Sequence, residues 1–293
     1  MKMVIRADDM GYSVVNDIGA FESIEQGVAT AADVMLDGPN AAATLRKLRD
    51  MPWISVGWHA HFWCSPVLSA EAVPTLVQEN GRFRQDLHTA KDVSYEEMIA
   101  ECEAQIKLCL DNLGRVPDVG MGGRADSVFG RAVDDTCKKY GIVTGFMSMV
   151  LGDKVFPASE QWARRKISAV GMHVAYKDLL TKDIDELKKY DPLNFYLEDR
   201  GGLLEQPEDT IAVQYWHPGY LDYFNYREGD YGPNAKYFTT IRIVDVHALT
   251  SPLLKNWIRE HKIELINFRD ALYGTRDYQN HLSHVGSELY VKY

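Results

Sequence analysis

The sequence predicts an α/β protein, a single-domain (β/α) barrel, distorted or incomplete, over residues 1–293. Three observations predict it. Apolar runs of strand length alternate with amphipathic segments for most of the chain, and repeated strand-then-helix units imply a parallel sheet covered by helices. The length of 293 residues suits one barrel, since such folds routinely occupy about 250 residues as one domain. No internal repeat or low-complexity linker divides the chain. A doubly wound open sheet is the second choice, but it lacks the GxGxxG or GxxxxGK[ST] loop that would support it.

The elements read in order as follows. Residues 3–7 form a strand, and "NDIGAFESIEQG" (16–27) a helix with Ile18, Phe21 and Ile24 on one side and Gly27 as its stop. "AADVML" (31–36) is a second strand, and "NAAATLRKLRD" (40–50) a helix with Asn40 available as N-cap. "ISVGWHAHF" (54–62) is a third strand. Residues 94–113 make the clearest helix, with Ser94 and Glu97 as a capping box and Gly114 after the last turn. Another helix covers 127–141, and strands are expected at 142–150, 167–175, 211–216 and 263–267. The aromatic, Gly-containing stretch 223–240 reads as a long loop.

Composition narrows the function classes. A hydrophobic content of 46% is ample for a large core, and a net charge of −10 argues against nucleic acid or anionic membrane partners. No stretch approaches the ~18 apolar residues of a membrane span. The N-terminal "MKMVIRADD" lacks the long apolar core of a signal peptide. Cys64, Cys102, Cys109 and Cys137 show no CxxC spacing, and Cys102 and Cys109 fall on the apolar face of one helix, so they read as buried free thiols. A cytoplasmic protein with a small-molecule substrate is expected. A homo-oligomer is left open.

Three ionisable clusters fall where strands should pass into loops, the place where parallel α/β folds gather their chemistry. Asp8 and Asp9 end the first strand. Neighbouring carboxylates repel, so the pair is either a cap and a solvated charge or is held for chemistry. Its members need not share a site, because adjacent residues on extended backbone point opposite ways. His59 and His61, two apart on a strand, project to one face, where with a carboxylate they suit Zn²⁺ or a similar divalent ion. A core histidine plus a solvated one, or a proton shuttle, are the other readings. His217 follows the run "IAVQYW" and precedes Pro218-Gly219, and could act as a general acid. His88, His247, His261, His281 and His284 read as surface or capping residues, and no GxSxG elbow is present.

With "ADDMGYS", "VGWHAHF", "YWHPGYLD" and "IELINFRD" in this order over nearly the whole chain, the sequence resembles the YdjC-like carbohydrate deacetylases, which include chitooligosaccharide deacetylases. The resemblance implies a distorted (β/α) barrel that removes acetyl groups from N-acetylated amino sugars with a divalent metal, zinc or magnesium. It implies Asp8 as general base, Asp9 and His59 as metal ligands, and His217 as the group assisting the tetrahedral intermediate or the leaving amine. The family's third ligand comes from a His-rich segment, whereas "VPDVGMGGRADSVFG" (116–130) has no histidine. Three expectations follow. His61 takes the third position, or Asp118 or Asp126 does, or the metal is lost and Arg124 instead attracts an anionic substrate group. The last corresponds to a metal-free acid–base enzyme or a catalytically silent sugar-binding relative. Tyr220, with the aromatic stretch 215–240, is a candidate for contact with substrate.

Overall fold

The computed structural model describes residues 1–120, 127–144, 148–151, 154–156, 159–172, 184–223 and 232–292. Its strands are β1 (Lys2–Met10), β2 (Ala31–Val34), β3 (Ser55–Trp58), β4 (Val119–Gly120), β5 (Ser148–Leu151), β6 (Lys154–Phe156), β7 (Ile167–Ala169), β8 (Ile211–Trp216) and β9 (Glu264–Leu265). The helices that matter for the site are α1 (Val14–Glu25), α2 (Ala41–Arg49), α3 (Tyr95–Leu113), α4 (Val128–Tyr140), α5 (Gly232–Thr250) and α6 (Pro252–Glu260). Strands and helices alternate and most strand pairs are parallel, which is the α/β class the sequence predicts.

The chain folds into two compact units. One comprises Met1–Asp8, Val14–Ala32 and Met147–Tyr293, the other Asp9–Ser13 and Asp33–Phe146. Both β1 and β2 run from one unit into the other.

In the first unit, β1 pairs in parallel with β8 over Lys2↔Ile211 through Ala7↔Trp216, and with β9 at Lys2↔Glu264 and Met3↔Leu265. Beyond β8 lie β7 and then β5, both parallel, and β6 pairs antiparallel to β5. Burial of β1 on both faces, from Met3 to Met10, is what a central parallel strand requires. α1 buries Phe21 and Ile24, while Ile18, expected beside them, is 55% exposed. The reason is close packing: a Cβ at Gly19 would lie 2.8 Å from Gly219, so the helix turns its small residues towards that turn.

In the second unit, β3 pairs in parallel with β4. α3 buries Met98, Cys102, Ile106, Cys109 and Leu113, and each such side chain contributes roughly 1.5–3 kcal/mol on burial. Ser94 caps α3 as expected, its Oγ accepting the Glu97 N–H, and Gly114 ends it in the left-handed region. Glu97 does not complete the box; its carboxylate accepts from the Thr75 N–H and hydroxyl, both at 2.8 Å. Asn40 occupies the N-cap of α2 without a capping hydrogen bond from its side chain.

The expected third strand stops at Trp58, four residues early. The expected loop 223–240 is also corrected, because 232–240 are the first turns of α5. Residues 224–231 lie outside the described residues, as do parts of the strands expected at 142–150 and 167–175. Among the described residues no helix is long and apolar enough to cross a membrane.

Candidate active site

The second unit brings Asp9, His59 and His61 together: one ligand atom from each lies within 4.8 Å of the others. Asp9 and His59 are buried, 2% and 3% exposed, and His59 Nε2 stands 3.0 Å from Asp9 Oδ1. Asp9 has a φ of 61°, so the alternation of extended backbone breaks at this residue. Aspartate is among the few non-glycine residues that enter the left-handed region, and buried outliers of this kind cluster at functional sites.

The two histidines meet by a route other than strand alternation. The His61 N–H donates to the His59 carbonyl at 2.8 Å, a three-residue γ-turn around Ala60. The ring centroids end 4.0 Å apart, edge to face. Phe62 follows with a φ of 55°, which throws Trp63 back onto His61 in a stack with centroids 4.0 Å apart.

Buried groups hold this turn from below. Asp37 Oδ2 accepts the N–H groups of Trp63 and Cys64, both at 2.8 Å, and burial pushes its carboxyl up to about 6. Glu101, on the buried face of α3, accepts the N–H groups of Val67 and Leu68, and burial raises it also. Gln105 links Glu101 to the indole N–H of Trp58. His88, read from sequence as a surface or capping residue, is half-buried, and its Nε2 lies 2.7 Å from the His61 carbonyl. Burial lowers its pKa, which favours the neutral imidazole. The Nδ1 of His59 lies 3.3 Å from Asp33 Oδ2 on β2.

The first unit holds a second cluster around Asp8. Arg6 and Asp8, two apart on β1, share a face, and Nε and Nη2 of Arg6 each lie 2.5 Å from an Asp8 oxygen. The same guanidinium sits 4.1 Å over the Tyr215 ring, its register partner on β8. One position beyond the Ala7↔Trp216 pair, His217 places Nε2 at 3.8 Å from Asp8 Oδ2. The backbone N–H of His217 donates to Asp245 of α5 at 2.7 Å, and Tyr190 donates its hydroxyl to the other oxygen at 2.5 Å. Burial pushes the Asp245 carboxyl up to about 7 against those bonds.

The predicted site residues thus fall in two groups, Asp9 with His59 and His61, and Asp8 with His217. Tyr220 donates its hydroxyl to Glu22 of α1 at 2.6 Å. Asp118 accepts from Arg115 and from the Val56 N–H, and is not in the metal-competent group. Arg124 and Asp126 lie outside the described residues. Arg6, Asp33, Asp37, His88 and Asp245 were missed. For Asp33 a signal existed: it is the lone charge in the apolar strand "AADVML".

A family profile described as YdjC-like protein matches residues 2–260. The chain belongs to the YdjC-like family. Among its relatives, carbohydrate deacetylase 2 of Listeria innocua serovar 6a is 22% identical over 284 residues, covering 92% of this chain and 98% of the relative. A carbohydrate deacetylase of Enterococcus faecalis strain V583 is 26% identical over 275 residues, covering 91% of this chain and 97% of its own. A crystal structure from the same strain, described as a candidate cellobiose-phosphate cleavage protein, matches with a TM-score of 0.62 at 21% identity. It covers 92% of this chain and 98% of that one. That likeness shows the fold.

Proposed function

We propose that this protein is a metal-dependent carbohydrate deacetylase that hydrolyses the acetamide of an N-acetylated amino sugar. The observation that carries the reading is the convergence of Asp9, His59 and His61 in a chain whose full-length relatives are carbohydrate deacetylases. His61 takes the third ligand position that the missing histidine in 116–130 leaves open. Two imidazoles and one carboxylate form a borderline donor set that fits zinc or a similar transition ion, and fits magnesium poorly, since that ion prefers oxygen.

Asp9, His59 and His61 would hold a divalent ion, which when bound would supply Lewis-acid polarisation of the amide carbonyl. Asp8, oriented by the two-point grip of Arg6, is the general base that takes a proton from the attacking water. His217 Nε2 is the acid that protonates the departing nitrogen. Asp245 fixes the backbone from which that imidazole projects. Tyr220, and Arg124 through its cation, contribute to substrate binding.

We also read the chain as one domain, because two continuous strands are shared by both units and neither unit is contiguous in sequence. The protein acts in the cytoplasm, a reading supported by four free cysteines.

The test is acetate release from N-acetylated chitooligosaccharides by chelator-treated protein before and after zinc is restored. Acetate that appears only with metal supports the reading. No acetate from any acetylated amino sugar, at any metal loading, overturns it.

A further inference from the structure

Besides Asp9, His59 has a second carboxylate neighbour, Asp33. It is 1% exposed on β2, and its Oδ2 lies 3.3 Å from His59 Nδ1, while Nε2 of the same ring lies 3.0 Å from Asp9 Oδ1. With the proton on Nδ1 and donated to Asp33, Nε2 presents its lone pair on the Asp9 side, which is the form that ligates a cation.

A second observation comes from β3. A Cβ built at Gly57 would lie 1.7 Å from Asp33 Oδ1 and 2.7 Å from its Cγ. Gly57 has no positive φ to explain it, and glycine inside a strand weakens it. The strand therefore gives up a side chain two residues before His59 to make room for the Asp33 carboxylate. Burying a carboxylate carries a desolvation penalty. Two unfavourable features at one point, both serving the same contact with His59, indicate a function for that contact.

We propose that Asp33 is the positioning residue of the metal centre, setting the tautomer and orientation of His59, and that Gly57 is the space it needs. The proposal rests on the metal-centre reading above.

The test is calorimetric zinc titration of chelator-treated full-length protein, with the His59 tautomer read by ¹⁵N NMR. Asp33→Ala should weaken zinc binding roughly 10–100-fold, as expected for loss of an outer-sphere partner, and release the Nδ1–H tautomer. Asp33→Asn keeps an acceptor oxygen and should lose less, with the tautomer retained. Gly57→Ala should mimic Asp33→Ala by displacing the carboxylate, and the double variant should bind no more weakly than Asp33→Ala alone. If Asp33→Ala fails to fold, Asp33→Asn and Gly57→Ala carry the same comparison. Zinc affinity and tautomer unchanged in the folded variants overturn the proposal while leaving the metal centre standing. Wild-type protein that binds no zinc overturns both.

Discussion

The guanidinium of Arg6 grips the Asp8 carboxylate at both oxygens, at 2.5 Å each, and stacks over Tyr215 at 4.1 Å. Lysine can supply the charge but neither the fork nor the stack. Arg6→Lys is therefore expected to lower kcat roughly 10²-fold, the cost of a small misplacement of a catalytic group. Zinc affinity should stay unchanged, since the carboxylate that the fork holds is Asp8 and not a member of the Asp9, His59 and His61 group. Steady-state kinetics with metal analysis of the same sample checks this.

Asp9 adopts a φ of 61°, which costs a non-glycine residue about 1–2 kcal/mol. Asp9→Gly removes that strain together with the ligand. The chelated variant should melt at or slightly above the wild-type temperature, and zinc should raise the melting temperature of wild type only. A zinc-dependent shift in Asp9→Gly of wild-type size would count against Asp9 as a ligand.

Asp245 is pushed up to about 7 by burial, so the folded state holds its proton more tightly than the unfolded chain does. Its contribution to stability is full below about pH 4 and is lost as pH rises through about 7, by up to about 4 kcal/mol. Urea unfolding of wild type and Asp245→Asn at several pH values reads this directly. Their difference should move in favour of the variant as pH rises from about 5 to 8.

Much of the fold is legible in local pattern. The run "IAVQYW" becomes β8 at the predicted residues 211–216, and the helix from 95 to 113 begins at its Ser94 cap and ends at Gly114. Asp8 and His217 are also legible, since residues at strand ends in a parallel sheet come together by register. The contact between His59 and His61 was predicted for the wrong reason. It arises from a γ-turn, followed by a left-handed Phe62, and Asp37 secures that backbone from a different strand end. Such long-range clamps leave no periodic trace. Glu97 likewise answers to Thr75, 22 residues away, rather than to the local box its spacing suggests.

All four cysteines are buried and free. Burial pushes the thiols of Cys109 and Cys137 up to about 12 and raises Cys102 as well. Native protein at pH 8 should react slowly with a thiol reagent, and four thiols should become reactive together on unfolding. Fast native labelling at the three helical positions would contradict the packing of α3 and α4.

The most direct test of the central claim is the rate of acetate release as a function of zinc added to chelator-treated protein. A rate that rises from near zero and levels at about one equivalent, and that stays near zero in His61→Ala over the same range, is the predicted result. A rate that survives chelation, or that responds to zinc equally in His61→Ala, would contradict Asp9, His59 and His61 as the ion's ligands.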